Sequence, residues 1–131
     1  MLMRLQSIII RCSDLPSSVE FYRDRLGFPV KRQFADRTEL HCGPVTLVLR
    51  ADETAPGAPR PDAATFPSTP DCFPGQAQLS FEVLNLDAYC SEMKEKGVEF
   101  DLPPVPQEFR RKLAVLRDPD GLPIAVVQEI R

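Results

Sequence analysis

Apolar and polar positions follow one pattern that occurs twice along the 131-residue chain. Each copy opens on an apolar, strand-like run, at residues 5–12 and 77–84, and continues into a segment with helical spacing. In both segments the apolar face falls at i, i+3 and i+7: Val19, Tyr22 and Leu26 in the first copy, and Leu86, Tyr89 and Met93 in the second. The pattern predicts a strand followed by a helix in each copy.

Both predicted helices begin and end on the same kinds of residue. Ser13 or Asp14 caps the first and Asn85 caps the second, because short polar side chains accept hydrogen bonds from the free N–H groups of a first turn. Gly27 and Gly97 end them, since glycine adopts a positive φ at little cost. These glycines lie 70 residues apart, and the matching order of signals around them indicates an internal repeat.

Three further strand-like runs follow each helix, and turn residues separate them. The runs are residues 30–34, 38–41 and 45–50 in the first copy, and 98–101, 112–116 and 123–128 in the second. The sequence therefore predicts an α+β protein made of two βαβββ modules, at residues 1–50 and 76–131.

A proline-rich segment, residues 51–75, joins the two predicted modules. It contains six prolines, which lack the backbone donor and the free φ that helices and central strands need. The segment is predicted to be an extended linker. Its aromatic residues, Phe66 and Phe73, are expected to pack as a lid over a cavity or against a second subunit.

Composition and charge exclude several classes of protein. The chain is 43% hydrophobic and 27% charged, as folded domains are. Its formal net charge of −3 disfavours a nucleic-acid partner, which would require a basic face. No apolar run approaches the roughly 20 residues that span a bilayer, so no membrane partner is expected. The first residues carry no signal-peptide pattern, and a cytoplasmic location is the resulting expectation.

The motifs as a set resemble those of the vicinal oxygen chelate superfamily, which includes glyoxalase I, extradiol dioxygenases, fosfomycin-resistance enzymes and bleomycin-resistance proteins. The resemblance is carried by SDLPSSVEFYRDRLGF at residues 13–28 and by DPDG at 118–121, and it covers nearly all of the chain outside the linker. It implies a single domain over residues 1–131, in which the curved mixed sheets of the two modules form a cupped cavity. Such proteins are usually homodimers.

The resemblance also implies where a metal ion would bind. Metal-dependent members hold it with His or Gln, Glu, His and Glu from the first and fourth strands of each module. The matching positions here are Ser7, Val48, Gln78 and Ala125. Valine and alanine offer no lone pair, and a lone amide does not hold a divalent ion against water. A shift of one residue toward the C-terminus would select the opposite face of each strand and supply only apolar side chains: Ile8, Leu49, Leu79 and Val126. Neither a metal nor another cofactor is therefore predicted.

The same strands predict where an organic ligand would lie. Ser7 and Arg11 share a face by alternation, as do Val48 and Arg50. Arg11 is expected either to bind a carboxylate, phosphate or polarised carbonyl, or to pair with an acidic neighbour at the rim. The predicted ligand-binding residues are Ser7, Arg11, Val48, Arg50, Gln78, Ser80 and Ala125.

The resemblance and the missing metal ligands together favour a metal-free protein that sequesters a small organic molecule, a drug or a metabolite, as in antibiotic resistance. The alternative is a glyoxalase-like enzyme, a lyase, isomerase or dioxygenase relative, that acts without the usual metal or with unorthodox ligands. His41, the only histidine, would be its general base, or is simply a strand residue near a turn. A third possibility is a scaffold whose cavity is filled. No catalytic residue is assigned.

Overall fold

The computed structural model describes residues 3–52, 77–107 and 110–130. Contacts along the chain divide it into two compact units, Met1–Ala58 and Pro59–Arg131. Each unit contains a four-stranded mixed sheet and a helical segment in the order βαβββ, which confirms the predicted fold class. The predicted linker lies outside the described residues except at its first two positions, and Phe66 and Phe73 lie outside them as well.

The first unit carries its strands in the order β1-β4-β3-β2. The parallel pair β1–β4 lies at one edge, and the other two pairs are antiparallel. The elements are β1 (Ser7–Cys12), α1 (Leu15–Val19), a π-helical segment (Glu20–Arg25), β2 (Val30–Gln33), β3 (Arg37–Cys42) and β4 (Val45–Ala51).

The helical segment of this unit begins as predicted but changes its winding halfway. Asp14 caps it by accepting a hydrogen bond from the Ser17 backbone N–H at 3.4 Å. After Val19 the segment is π-helical, and the Leu26 N–H donates to the carbonyl of Phe21. The sequence predicted one uniform α-helix. The wider winding coincides with burial of the adjacent Phe21 and Tyr22, whose rings pack edge to face at 5.2 Å.

The second unit repeats this topology with the strand order β5-β8-β7-β6. Its elements are β5 (Leu79–Glu82), α2 (Leu86–Glu95), β6 (Phe100–Gln107), β7 (Arg111–Arg117) and β8 (Pro123–Glu129). Asn85 caps α2 as predicted, accepting from the Ala88 N–H at 3.0 Å. The Leu86 N–H, in the same first turn, donates to Oε1 of Gln128 on β8 at 2.8 Å, which ties the start of the helix to the sheet.

Strand β6 differs most from the prediction. A short strand was expected at 98–101, yet β6 extends to Gln107 through Pro103, Pro104 and Pro106. It lies at the edge of the sheet, where a residue without an N–H on the outer side loses no ladder hydrogen bond. The register also shifts twice along its pairing with β7, between Phe100 and Leu102 and between Leu102 and Val105.

The two sheets are buried to different extents. In β4, Leu47 and Leu49 are buried, while the alternating positions 46, 48 and 50 are half-buried or exposed. In β8, all five residues from Pro123 to Val127 are buried, so both faces of this strand are covered. The first sheet therefore has one buried and one accessible face. None of the helices within the described ranges is both long and apolar enough to cross a membrane.

The glycines that end the two helical segments predict matched effects on stability. Gly27 and Gly97 have φ of +90° and +81°, and an added Cβ at either position would meet no atom within 4 Å. Replacing either by alanine should therefore lower the free energy of unfolding through backbone strain alone, by about 1 to 2 kcal/mol. Chemical denaturation of each variant measures the loss. The asparagine variants should lose less, and equal losses for alanine and asparagine would contradict this cause.

Candidate active or binding face

The candidate site is the accessible face of the sheet in the first unit, which we call the open face. Strand pairing places its side chains in three rows across β1, β4 and β3, since residues in register point to the same side of a sheet. The rows are Ser7, Thr46 and His41; Ile9, Val48 and Glu39; and Arg11, Arg50 and Arg37. Ser7, Arg11, Val48 and Arg50 thus share one face, as the sequence predicts for each strand.

The middle row of the open face has an apolar part. Ile9 is 56% exposed, although it is a large hydrophobic residue within a strand. Val48, opposite it, is half-buried. In the first row, Thr46 accepts a hydrogen bond from Nζ of Lys31 at 3.2 Å. The face therefore combines a small apolar floor with hydroxyl and ammonium groups at its side.

Charged side chains occupy the third row and its border. Nη1 of Arg37 lies 3.0 Å from Oδ1 of Asp36, and its Nε lies 3.9 Å from Oε2 of Glu39. The central carbon of the same guanidinium lies 3.9 Å from the centre of the Phe34 ring. Glu39 accepts a second contact, from Nε of Arg32 at 3.1 Å. Within the described ranges, Arg11 and Arg50 form no ion pair, and both are exposed. Among the described residues, the third row therefore holds two cations that form no ion pair, Arg11 and Arg50.

The predicted residues of the second unit lie in two different environments. Gln78, just before β5, and Ser80 on β5 are exposed. Ala125 pairs with Ser80 on one side and with Val115 on the other, and Ala125 and Val115 are 5% and 3% exposed. The hypothesis that Gln78, Ser80 and Ala125 line a cavity together with residues of the first unit stays a prediction.

The side chains at the four positions matched to metal ligands do not fit a divalent ion. Ser7 offers a neutral hydroxyl, Gln78 a neutral amide, and Val48 and Ala125 only hydrocarbon. Across the part of the chain that the structure describes, no three His, Cys, Asp or Glu side chains are grouped so as to hold a metal. Glu39, the carboxylate of the open face, is already contacted by Arg32 and Arg37.

Among the residues that the structure describes, the groups with shifted pKa values offer no activated nucleophile. Burial raises the pKa of the Cys42 and Cys90 thiols, and it raises the pKa of Tyr89 to about 12. All three therefore stay protonated at neutral pH. At the surface, the hydrogen bond between Arg23 and Asp24 lowers the pKa of the carboxyl and raises that of the guanidinium.

Several residues of the open face were not singled out from the sequence. Thr46 and Glu39 follow from strict alternation along β4 and β3, so this signal was available. Lys31 lies where the register between β2 and β3 shifts, and alternation does not determine the direction of a side chain at such a bulge. The structure also has a separate open groove of about 340 Å³, bordered by Val19, Arg23 and Phe34. No pattern in the sequence predicted this groove.

Comparison with known proteins agrees with this architecture. The model of the Glyoxalase/Bleomycin resistance protein/Dioxygenase superfamily matches residues 4–126. The uncharacterized protein YwkD of Bacillus subtilis (strain 168) is 28% identical over 129 residues, which cover 98% of this chain and 99% of YwkD.

Solved structures show the same fold. The virulence protein STM3117 from Salmonella typhimurium superposes with a TM-score of 0.71 at 25% identity, covering 99% of both chains. A glyoxalase/bleomycin resistance protein/dioxygenase from Nocardioides gives a TM-score of 0.74 at 17% identity, covering all of this chain and 86% of that one. At this identity the second likeness speaks for the fold alone.

The contrast between the two faces of the first sheet can be measured by truncation. Leu47 is 1% exposed and Ile9 is 56% exposed, on opposite faces. Leu47→Ala should lower the free energy of unfolding by about 2 to 5 kcal/mol, as buried truncations do. Ile9→Ala should cost less than about 1 kcal/mol, because the lost side chain is already in contact with water. Urea denaturation measures both, and equal losses would mean that the open face is part of a packed core.

Proposed function

The chain belongs to the glyoxalase/bleomycin resistance protein/dioxygenase superfamily, and we propose that it binds a small organic molecule on the open face without a metal ion. The single observation that carries this proposal is the middle row of that face. There an exposed isoleucine lies beside Val48, at a position where a metal-dependent relative needs a charged ligand. Apolar surface with a few polar groups around it suits an organic ligand.

Each part of the face has a role in the proposal. Ile9 and Val48 contact the apolar body of the ligand. Ser7 and Thr46 offer hydroxyl groups to its polar atoms, and Arg11 and Arg50 offer guanidinium donors. Gln78, Ser80 and Ala125 are proposed as further ligand-binding residues in the second unit. In this proposal, the protein is a cytoplasmic homodimer that sequesters a drug or metabolite.

A glyoxalase-like enzyme that needs no metal is the second candidate, and one observation favours it. His41 is exposed on the open face, in the same row as Ser7 and Thr46, so a ligand there would lie within reach of an imidazole. Histidine is the usual general base near neutral pH. Turnover of a bound compound that His41→Gln abolishes, while the compound still binds, would identify the protein as this enzyme.

Thermal unfolding with a library of aromatic and amphipathic compounds tests the proposal. A ligand that binds only the folded state should stabilise it by about 2.7 kcal/mol at one hundred times its dissociation constant. Ile9→Lys should abolish the shift, because it places a long charged side chain over the apolar floor. Leu84→Lys is the matched control, since it makes the same kind of change at a residue that is 96% exposed in the second unit.

Two results would contradict metal-free binding. In one, no compound of the library raises the unfolding midpoint. In the other, zinc, nickel, manganese or iron(II) ions raise it stoichiometrically, and Ser7→Ala removes that effect. Titration calorimetry of the compounds that raise the unfolding midpoint then measures their affinity and the number of sites.

A further inference from the structure

We propose that the molecule bound on the open face carries a carboxylate or phosphate group, and that Arg11 and Arg50 bind this group together. This inference rests on the proposed function, because it names the chemical class of the ligand at the same face.

The strand register places the two guanidinium groups side by side. Arg11 on β1 is paired with Arg50 on β4 in the parallel ladder. Neighbouring strands lie about 4.8 Å apart, and paired residues point to the same side. Like charges directly opposite each other destabilise a sheet, so this pair opposes folding unless an anion lies between its members.

Asp36 and Glu39, two carboxylates beside this row, already contact other cations. Arg37, which completes the row, is contacted by Asp36 and Glu39, and Glu39 also binds Arg32. Within the described part of the chain, neither Arg11 nor Arg50 forms an ion pair. These two arginines are thus the members of the row whose charge is left for a ligand.

The open face is positively charged, whereas the chain as a whole is negatively charged. The protein has a formal net charge of −3, yet the open face and its border gather five cations around the carboxylates of Glu39 and Asp36; the cations are Arg11, Lys31, Arg32, Arg37 and Arg50. Such a concentration attracts anions and repels metal cations. Two adjacent guanidinium groups match the paired oxygens of a carboxylate or phosphate.

The position of the apolar floor, Ile9 and Val48, predicts where the rest of the ligand lies. Ile9 and Val48 precede Arg11 and Arg50 by two residues in the same register, which is about 6.6 Å along a strand. An acid group at the arginines would leave an aromatic or aliphatic body over these two side chains. The class of ligand is therefore a small organic acid or organic phosphate with its apolar part next to the acid group.

Inorganic phosphate is the first probe. Amide chemical shifts are followed while sodium phosphate replaces sodium chloride at constant ionic strength, so that general screening is unchanged. Saturable shifts should appear in β1 and β4. Arg11→Gln and Arg50→Gln should each weaken phosphate binding at least tenfold. Arg4→Gln, which removes the same charge from an exposed residue before β1, is the matched control and should leave the affinity unchanged.

The variants also report on the repulsion itself. In chloride buffer, Arg11→Gln and Arg50→Gln should unfold at the same temperature as the unchanged protein or a few degrees higher, because one of two opposed charges is gone. Phosphate should raise the unfolding midpoint of the unchanged protein and of Arg4→Gln, but not that of the other two variants. A midpoint below that of the unchanged protein in chloride would mean that the arginines stabilise the fold and are not held for a ligand.

Benzoate and benzamide separate this inference from the proposed function, because they differ chiefly in charge. Benzoate should bind at least tenfold more tightly, and the preference should vanish in Arg11→Gln and Arg50→Gln. Equal affinities that Ile9→Lys weakens would overturn the anion site and leave the organic-molecule function intact. Saturable phosphate binding lost in both arginine variants, with no organic compound bound, would support the anion site and overturn the proposed function. Phosphate shifts that are absent, or unchanged in both variants, would overturn the anion site.

Discussion

The parallel register between β1 and β4 is the constraint on which the rest of the first unit depends. Ile10 faces Leu49 across this ladder, and both are buried against the helical side of the sheet. A slip of one residue would turn Arg11 or Arg50 into that apolar layer, at a cost of several kcal/mol for each unpaired charge. Burial on one face thus fixes what the other presents: an apolar middle and an arginine pair.

The two repeats share a topology without sharing a surface. Both units have a parallel pair at one edge, an asparagine or aspartate cap, and a glycine with positive φ after the helical segment. In the second unit, however, β8 is buried on both faces, as a near-continuous apolar run from Ile124 to Val127 requires. In the first, β4 alternates and leaves polar positions accessible. Ligand chemistry therefore follows the alternation in each strand, and the repeat itself does not determine it.

Much of the fold could be read from local signals, because caps, turns and period-two patterns act within a few residues. Asp14, Asn85 and both glycines function as predicted. The π-helical winding after Val19 could not be read, since it depends on how neighbouring aromatic rings pack in three dimensions. The predicted strand at 98–101 ended before the prolines of β6, because prolines argue against a strand. They are tolerated in β6 because it lies at the edge of the sheet. For the site, alternation predicts which residues share a face, but the pairing of Arg11 with Arg50 requires the register between distant strands.

Crystallography of the protein soaked with organic carboxylates, in buffer that also contains zinc and manganese ions, tests metal-free binding most directly. Metal-free binding predicts density for an organic molecule whose apolar part lies against Ile9 and Val48. A divalent ion at full occupancy on that face, held by protein side chains, would contradict it, and so would a face closed by packed side chains with no room for a ligand.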